Sequence, residues 1–137
     1  YPENSANFGN GIIKETELPK PLVDKNVKFV IADHDVKNTD FPLANVNLNA
    51  GAWLNADSTN SLHLSYLTQQ FALQLRAKHP NVPVGIIQTA WGGTPIRRHV
   101  RGGDIYAIHI APLKDFHVAG VLWYQGCDDA MNFATAT

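Results

Sequence analysis

Apolar positions along this chain fall into short β-branched runs and one longer stretch with a helical period, and the two kinds alternate. Residues 27–31, Val-Lys-Phe-Val-Ile, are bounded by Asn26 and Asp33 and read as a first strand. Residues 32–60 show no period and are read as a long irregular connection containing Asp33-His34-Asp35 and Trp53. Residues 61–78 predict a helix: Leu64, Leu67, Phe71 and Leu75 share a face, Gln69, Gln70, Gln74, Arg76 and Lys78 lie mostly outside it, and Asn60 or Ser61 caps the start. Pro80 stops it.

Residues 82–89 are apolar on both faces, as a central parallel strand is. A shorter helix is expected over 104–113, with Tyr106, Ile110 and Leu113 on one side and Pro112 near its end. Residues 118–124 then read as a third strand. The order β, α, β, α, β predicts an α/β fold: a parallel sheet with flanking helices and right-handed crossovers. Three strands are fewer than the roughly five of a free-standing doubly wound domain, so the expectation is an incomplete sheet. Residues 1–26, rich in Asn, Pro, Gly and Lys, carry no period and read as an irregular surface segment.

Composition narrows the class. A length of 137 residues, 45% hydrophobic and 17% charged, suits one globular domain over 1–137. The net charge is -1 and the basic residues are scattered apart from Arg97, Arg98 and Arg101, so no basic stripe points to nucleic acid or a membrane surface. That trio reads either as a small anion or sugar contact or as an ordinary solvated loop. No run approaches the roughly 20 apolar residues of a bilayer span. The single cysteine, Cys127, excludes an internal disulfide framework.

Two apolar runs stop abruptly at groups suited to chemistry. The first ends in Gly92-Gly93-Thr94-Pro95, where a glycine pair lets backbone approach a ligand or simply makes a tight turn. It is not a phosphate loop, because no Lys-Ser/Thr comes after it and the Gly-x-Gly-x-x-Gly fingerprint is missing. The second ends in Trp123-Tyr124-Gln125-Gly126, whose carboxamide must find a partner if it is buried. Uncharged donors outside the ends of strands are the equipment for holding a developing oxyanion.

Other nucleophiles and ligands are weaker candidates. Ser5, Ser58, Ser61 and Ser65 occupy no strand-to-helix elbow, and Ser61 and Ser65 belong to the helix. His34 and His63 lie near Asp33, Asp35 and Asp57 without metal-ligand spacing, and His99, His109 and His117 read as surface or helix residues. Cys127 is a possible thiol nucleophile, but Asp128 and Asp129 beside it oppose a thiolate.

The two motifs together resemble the sialate O-acetylesterase family within the SGNH hydrolases. The resemblance rests on Pro83-Val-Gly-Ile-Ile87, Gly92-Gly-Thr-Pro-Ile96, Tyr106-Ala-Ile-His-Ile-Ala-Pro-Leu113 and Gly120-Val-Leu-Trp-Tyr-Gln-Gly126, with Ser65 and Phe71-Ala72 in the helix. It implies a flavodoxin-like three-layer fold and hydrolysis of acetyl esters on carbohydrates by a serine mechanism, with no metal and no cofactor. A backbone N–H of Gly92 or Gly93 and the side chain of Gln125 would be the oxyanion donors, with Trp91, Thr94 and Arg97 candidate substrate contacts. It also implies work on extracellular or envelope glycans.

The departures are specific. The family's Gly-Gln-Ser-Asn nucleophile motif and its Asp-x-x-His pair are not in these residues, although Tyr1-Pro2 resembles the residues that come just after the nucleophile motif. Cys127 stands where the family has glutamate, and only about ten residues join Gly-Gly-Thr to the Tyr106 segment, where the family usually has a long insertion. The competing expectation is a non-catalytic carbohydrate-binding or structural module on the same scaffold.

Overall fold

The computed structural model describes residues 20–35, 39–40 and 53–132, and the chain divides into two compact units, Tyr1–Ile31 with Leu48–Gln88 and Ala32–Asn47 with Thr89–Thr137. Most of the segment expected to be irregular over 1–26 lies outside the described residues.

The first unit is built on residues 24–31 of strand β1 (Asp24–Asp35), whose remaining residues belong to the second unit; β1 pairs antiparallel with β3 (Leu54–Ala56) and also pairs with β4 (Val84–Ala90). Its side chains at Val27, Phe29 and Val30 are buried. With Leu22, Ala56, Leu64 and Ala72, Val27 and Phe29 form a core against which Ile31, Val84 and Ile86 pack. Full burial of a Val, Leu or Phe side chain is worth about 1.5–3 kcal/mol, so each of these side chains contributes on that order.

Helix α1 (Tyr66–Lys78) begins later than the pattern predicts. Residues Asn60–His63 form a separate 3-10 turn, and Leu64 then adopts an extended conformation with ψ 145°. Ser65 is the true N-cap, its side chain accepting the Thr68 N–H at 3.1 Å. Gln88 of β4 accepts the Ser65 N–H at 3.0 Å and fixes the entry to the helix. A short hydroxyl side chain that satisfies an orphan N–H favours a helix start over a helix interior. The predicted apolar face is also displaced: Leu67 and Phe71 are 49% and 44% exposed, whereas Gln69 and Ala72 are the buried residues of α1.

The expectation of an all-parallel sheet is corrected at two edges of β1. Besides β3, β1 pairs antiparallel with β2 (Thr39–Asp40), placing His34 opposite Asp40 and Asp35 opposite Thr39. Only three residues separate Asp35 from Thr39. A connection that short closes a hairpin, while a parallel crossover needs a dozen residues or more. The same pairings put strand within residues 32–60, which the sequence predicts to be irregular.

In the second unit the predicted helix over 104–113 is present in another form: a π-helical turn over Tyr106–Ile110 runs into a 3-10 turn over Ala111–Leu113. The Ala111 N–H bonds the Tyr106 carbonyl, five residues back. Pro112 has no N–H to continue an α-helical ladder. Ile105, fully buried, anchors this segment.

The predicted third strand over 118–124 is not a strand. Residues 117–126 carry no helix or ladder, and Val121 and Trp123 are 77% and 55% exposed. An apolar run becomes a strand only when a neighbour takes its backbone N–H and C=O groups, and no ladder joins this one among the described residues. Helix α2 (Cys127–Asn132) comes directly after it.

Candidate functional site

Strand β4 ends at Ala90 and the chain turns sharply through Trp91, Gly92 and Gly93. Gly93 has φ 67°, in the left-handed region that a side chain disfavours, which explains the second glycine of the pair. Both glycines are exposed and Thr94 after them is buried, at 6% exposure. The Thr94 hydroxyl donates to the Trp91 carbonyl at 2.7 Å and also lies 2.7 Å from His99 Nε2. With its one hydrogen given to Trp91, the Thr94 oxygen accepts from a His99 Nε2–H tautomer. In that arrangement His99 braces the turn and does not act as a base on Thr94.

A 3-10 turn over Ile96–Arg98 begins after Pro95. Its first N–H, of Ile96, donates to Asp129 Oδ2 at 2.9 Å. The same carboxylate oxygen accepts a hydrogen bond from Gln125 Nε2. Gln125 Nε2 also faces the Thr94 carbonyl at 3.4 Å. The carboxamide at the end of the Trp-Tyr-Gln-Gly motif is thereby brought to the Gly-Gly-Thr turn, with Asp129 of α2 between them. Gly126, with φ 124°, turns the chain from Gln125 into that helix.

Aromatic and cationic groups frame the turn. Arg98 lies over the Trp91 ring, 4.9 Å from its centroid, and holds Asp104 through three hydrogen bonds of 3.0, 3.2 and 2.7 Å. Trp91 is tilted against His109 at 6.1 Å, and His99 meets Trp123 edge-on at 5.9 Å. Arg97 is exposed. A Cβ added at Gly103 would lie 2.2 Å from the Arg98 carbonyl oxygen, so only glycine lets the two backbone segments approach this closely.

These contacts shift the ionisable groups. Hydrogen bonds from Gln125 and from the Ile96 N–H hold the Asp129 carboxyl below its ordinary value. Arg98 draws Asp104 down to about 2. Burial lowers His99, with the Arg98 charge acting in the same direction, which favours the neutral imidazole.

Of the sequence candidates, Gly92, Gly93, Thr94 and Gln125 lie together, Trp91 lies beneath Arg98, and Arg97 is near enough to Asp129 for their charges to interact. Cys127 is an exposed free thiol at the first position of α2. The sequence does not single out Asp129 or the bracing role of His99. It does hold a signal for Asp129, which stands four residues after Gln125, the spacing at which side chains meet once the chain becomes helical.

The sequence matches, over residues 11–137, the family described as carbohydrate esterase, sialic acid-specific acetylesterase. The chain belongs to that family. Comparison with characterised proteins and with solved structures returned no match. Membership implies carbohydrate esterase activity and an acetylated carbohydrate substrate. No helix among the described residues is long and apolar enough to cross a membrane.

Proposed function

We propose that this chain supplies the oxyanion hole of a carbohydrate O-acetylesterase of the SGNH type, within a single esterase domain. The observation that carries the reading is the meeting of Gln125 with the Gly92-Gly93-Thr94 turn through the Thr94 carbonyl. Attack on an acetyl carbonyl converts its oxygen into an oxyanion, and an N–H of Gly92 or Gly93 and the Gln125 carboxamide would hold it. Preorganised donors of this kind are each worth about 10²- to 10³-fold in kcat.

In the mechanism of the family a serine attacks the carbonyl, an Asp-supported histidine takes the serine's proton and gives it to the departing sugar oxygen, and water then cleaves the acetyl-serine to acetate and free serine. Neither that serine nor that histidine is assigned to a residue of this sequence. Trp91, Thr94 and Arg97 are the proposed substrate contacts.

The test is intact-mass spectrometry of the native protein, followed by hydrolysis of p-nitrophenyl acetate with and without a serine-directed phosphonate. A mass well above 15.1 kDa with phosphonate-sensitive turnover supports the esterase. A mass of 15.1 kDa without turnover supports a non-catalytic carbohydrate-binding module instead. The second outcome has its own support in the contacts of Gln125, whose Nε2 already lies within hydrogen-bond distance of two acceptors of the chain.

A further inference from the structure

We propose that Asp129 is a positioning residue that holds the Gln125 carboxamide and the turn after Gly92-Gly93 in a fixed relation, leaving one Gln125 N–H to be given to an oxyanion. The proposal rests on the esterase reading of the site. Its basis is the unequal quality of the two bonds made by Gln125 Nε2. The bond to Asp129 Oδ2 has a carboxylate acceptor and is charge-assisted. The contact to the Thr94 carbonyl is 3.4 Å, beyond the usual 2.7–3.2 Å range for N–H···O. A neutral, long contact yields to a stronger acceptor, and a carboxylate bond does not. An arriving oxyanion would therefore replace the Thr94 carbonyl and leave Asp129 in place.

The second half of the clamp is the Ile96 N–H, which shares Oδ2 at 2.9 Å. One carboxylate oxygen thus ties the segment containing Gln125 to the segment that begins at the glycine pair. Donors held to a fixed separation need no rearrangement when charge develops. The groups that face Asp129 are Gln125, the Ile96 N–H, Arg97 and His99. The last two supply positive or polarisable surroundings that keep the carboxylate ionised.

The decisive experiment tracks the Ile96 amide and the Gln125 side-chain amide by ¹⁵N-¹H NMR while pH is lowered, in the wild-type chain and in Asp129→Asn and Asp129→Ala. The wild type should show both signals moving together, with a midpoint below 3.8, the ordinary aspartate value. In Asp129→Asn, which keeps the shape and one acceptor oxygen, the shared titration should vanish and the Gln125 amide protons should exchange faster with water.

In Asp129→Ala the Ile96 signal should shift as well. If that variant does not fold, Asp129→Asn alone decides. Signals that ignore pH in the wild type, or that titrate equally in Asp129→Asn, overturn the clamp. In p-nitrophenyl acetate hydrolysis, Asp129→Asn should lower kcat with KM nearly unchanged, by less than the roughly 10²- to 10³-fold lost with a donor itself. An unchanged kcat overturns the positioning role, whereas a wild type without turnover overturns the esterase reading and leaves the shared titration to stand or fall separately.

Discussion

Gln69 and Gln125 are the same side chain in two different kinds of surroundings. Gln69, 1% exposed, accepts the Leu22 N–H at 2.8 Å and donates to the carbonyls of Ser61 and Leu64 at 2.9 and 3.0 Å. Every one of those partners is fixed backbone, so the carboxamide acts as a staple between the approach to β1, the 3-10 turn and α1. Gln125 is partly exposed and leans on a carboxylate and one long carbonyl contact. A fully enclosed, neutral network resists change, while a half-exposed one with an ionised partner can trade one bond for another. The first arrangement is what a fold uses, and the second is what a binding site uses.

Replacing Gln69 tests the first half of that contrast and should have the largest effect. Gln69→Leu strands the Leu22 N–H in the core and takes a donor from the Ser61 and Leu64 carbonyls, the first of which still accepts the Leu64 N–H at 3.1 Å; each buried polar group left unpaired costs about 1–3 kcal/mol. Even with partial access of water the loss should reach on the order of 3 kcal/mol, read as a fall in the denaturation midpoint at unchanged slope. A loss below about 1 kcal/mol would mean that the network is dispensable. Ser61→Ala probes the same junction more gently. The Ser61 hydroxyl, fully buried, donates to the Leu22 carbonyl at 2.6 Å, and its removal should cost about 1–3 kcal/mol by chemical denaturation.

Gln125→Leu is the counterpart and should invert the pattern. The bonds it removes lie where solvent can take their place, so the stability cost should stay near or below about 1 kcal/mol. Turnover of p-nitrophenyl acetate, where the wild type shows it, should fall by about 10²- to 10³-fold. A variant that unfolds would place Gln125 with Gln69 among the staples and remove the distinction between them.

The sequence made β1, α1 and β4 legible because each is specified locally. A β-branched run, a helical apolar period and a proline after Lys78 all act through near neighbours. What it hid depends on contacts far along the chain. Gln69 reads as a solvent-facing residue because its partners at Leu22 and Ser61 are set by the fold and not by its own helix. Leu67 and Phe71 fit an apolar face by period, yet α1 turns Gln69 and Ala72 inward. Residues 118–124 have the composition of a strand, but a strand also needs a neighbour. At the candidate site, the glycine pair and Gln125 stand out as small or polar residues ending apolar runs. Asp129 is hidden because its role exists only once α2 brings it back to Gln125 and Ile96.

Acid provides the finest separation of the two kinds of network, through the pair of Arg98 and Asp104. Their side chains are 31% and 63% exposed, so the pair should contribute modestly in neutral solution. Its sign is nevertheless fixed. Arg98 lowers the Asp104 carboxyl from 3.8 to about 2 in the folded chain. A depressed carboxylate stabilises the folded state above its unfolded value, and that contribution is lost as pH falls through the folded one. The stability gap between wild type and Asp104→Asn should therefore be constant at neutral pH and close between about 4 and about 2. The gap between wild type and Gln69→Leu should not change over the same range, because the backbone groups of Leu22, Ser61 and Leu64 that it bonds do not titrate. Thermal midpoints of the three proteins across that range check both statements. If the Asp104→Asn gap persists in acid, the carboxylate holds Arg98 through shape alone, and if the Gln69→Leu gap closes, its network includes a charge that the neutral amide contacts do not contain.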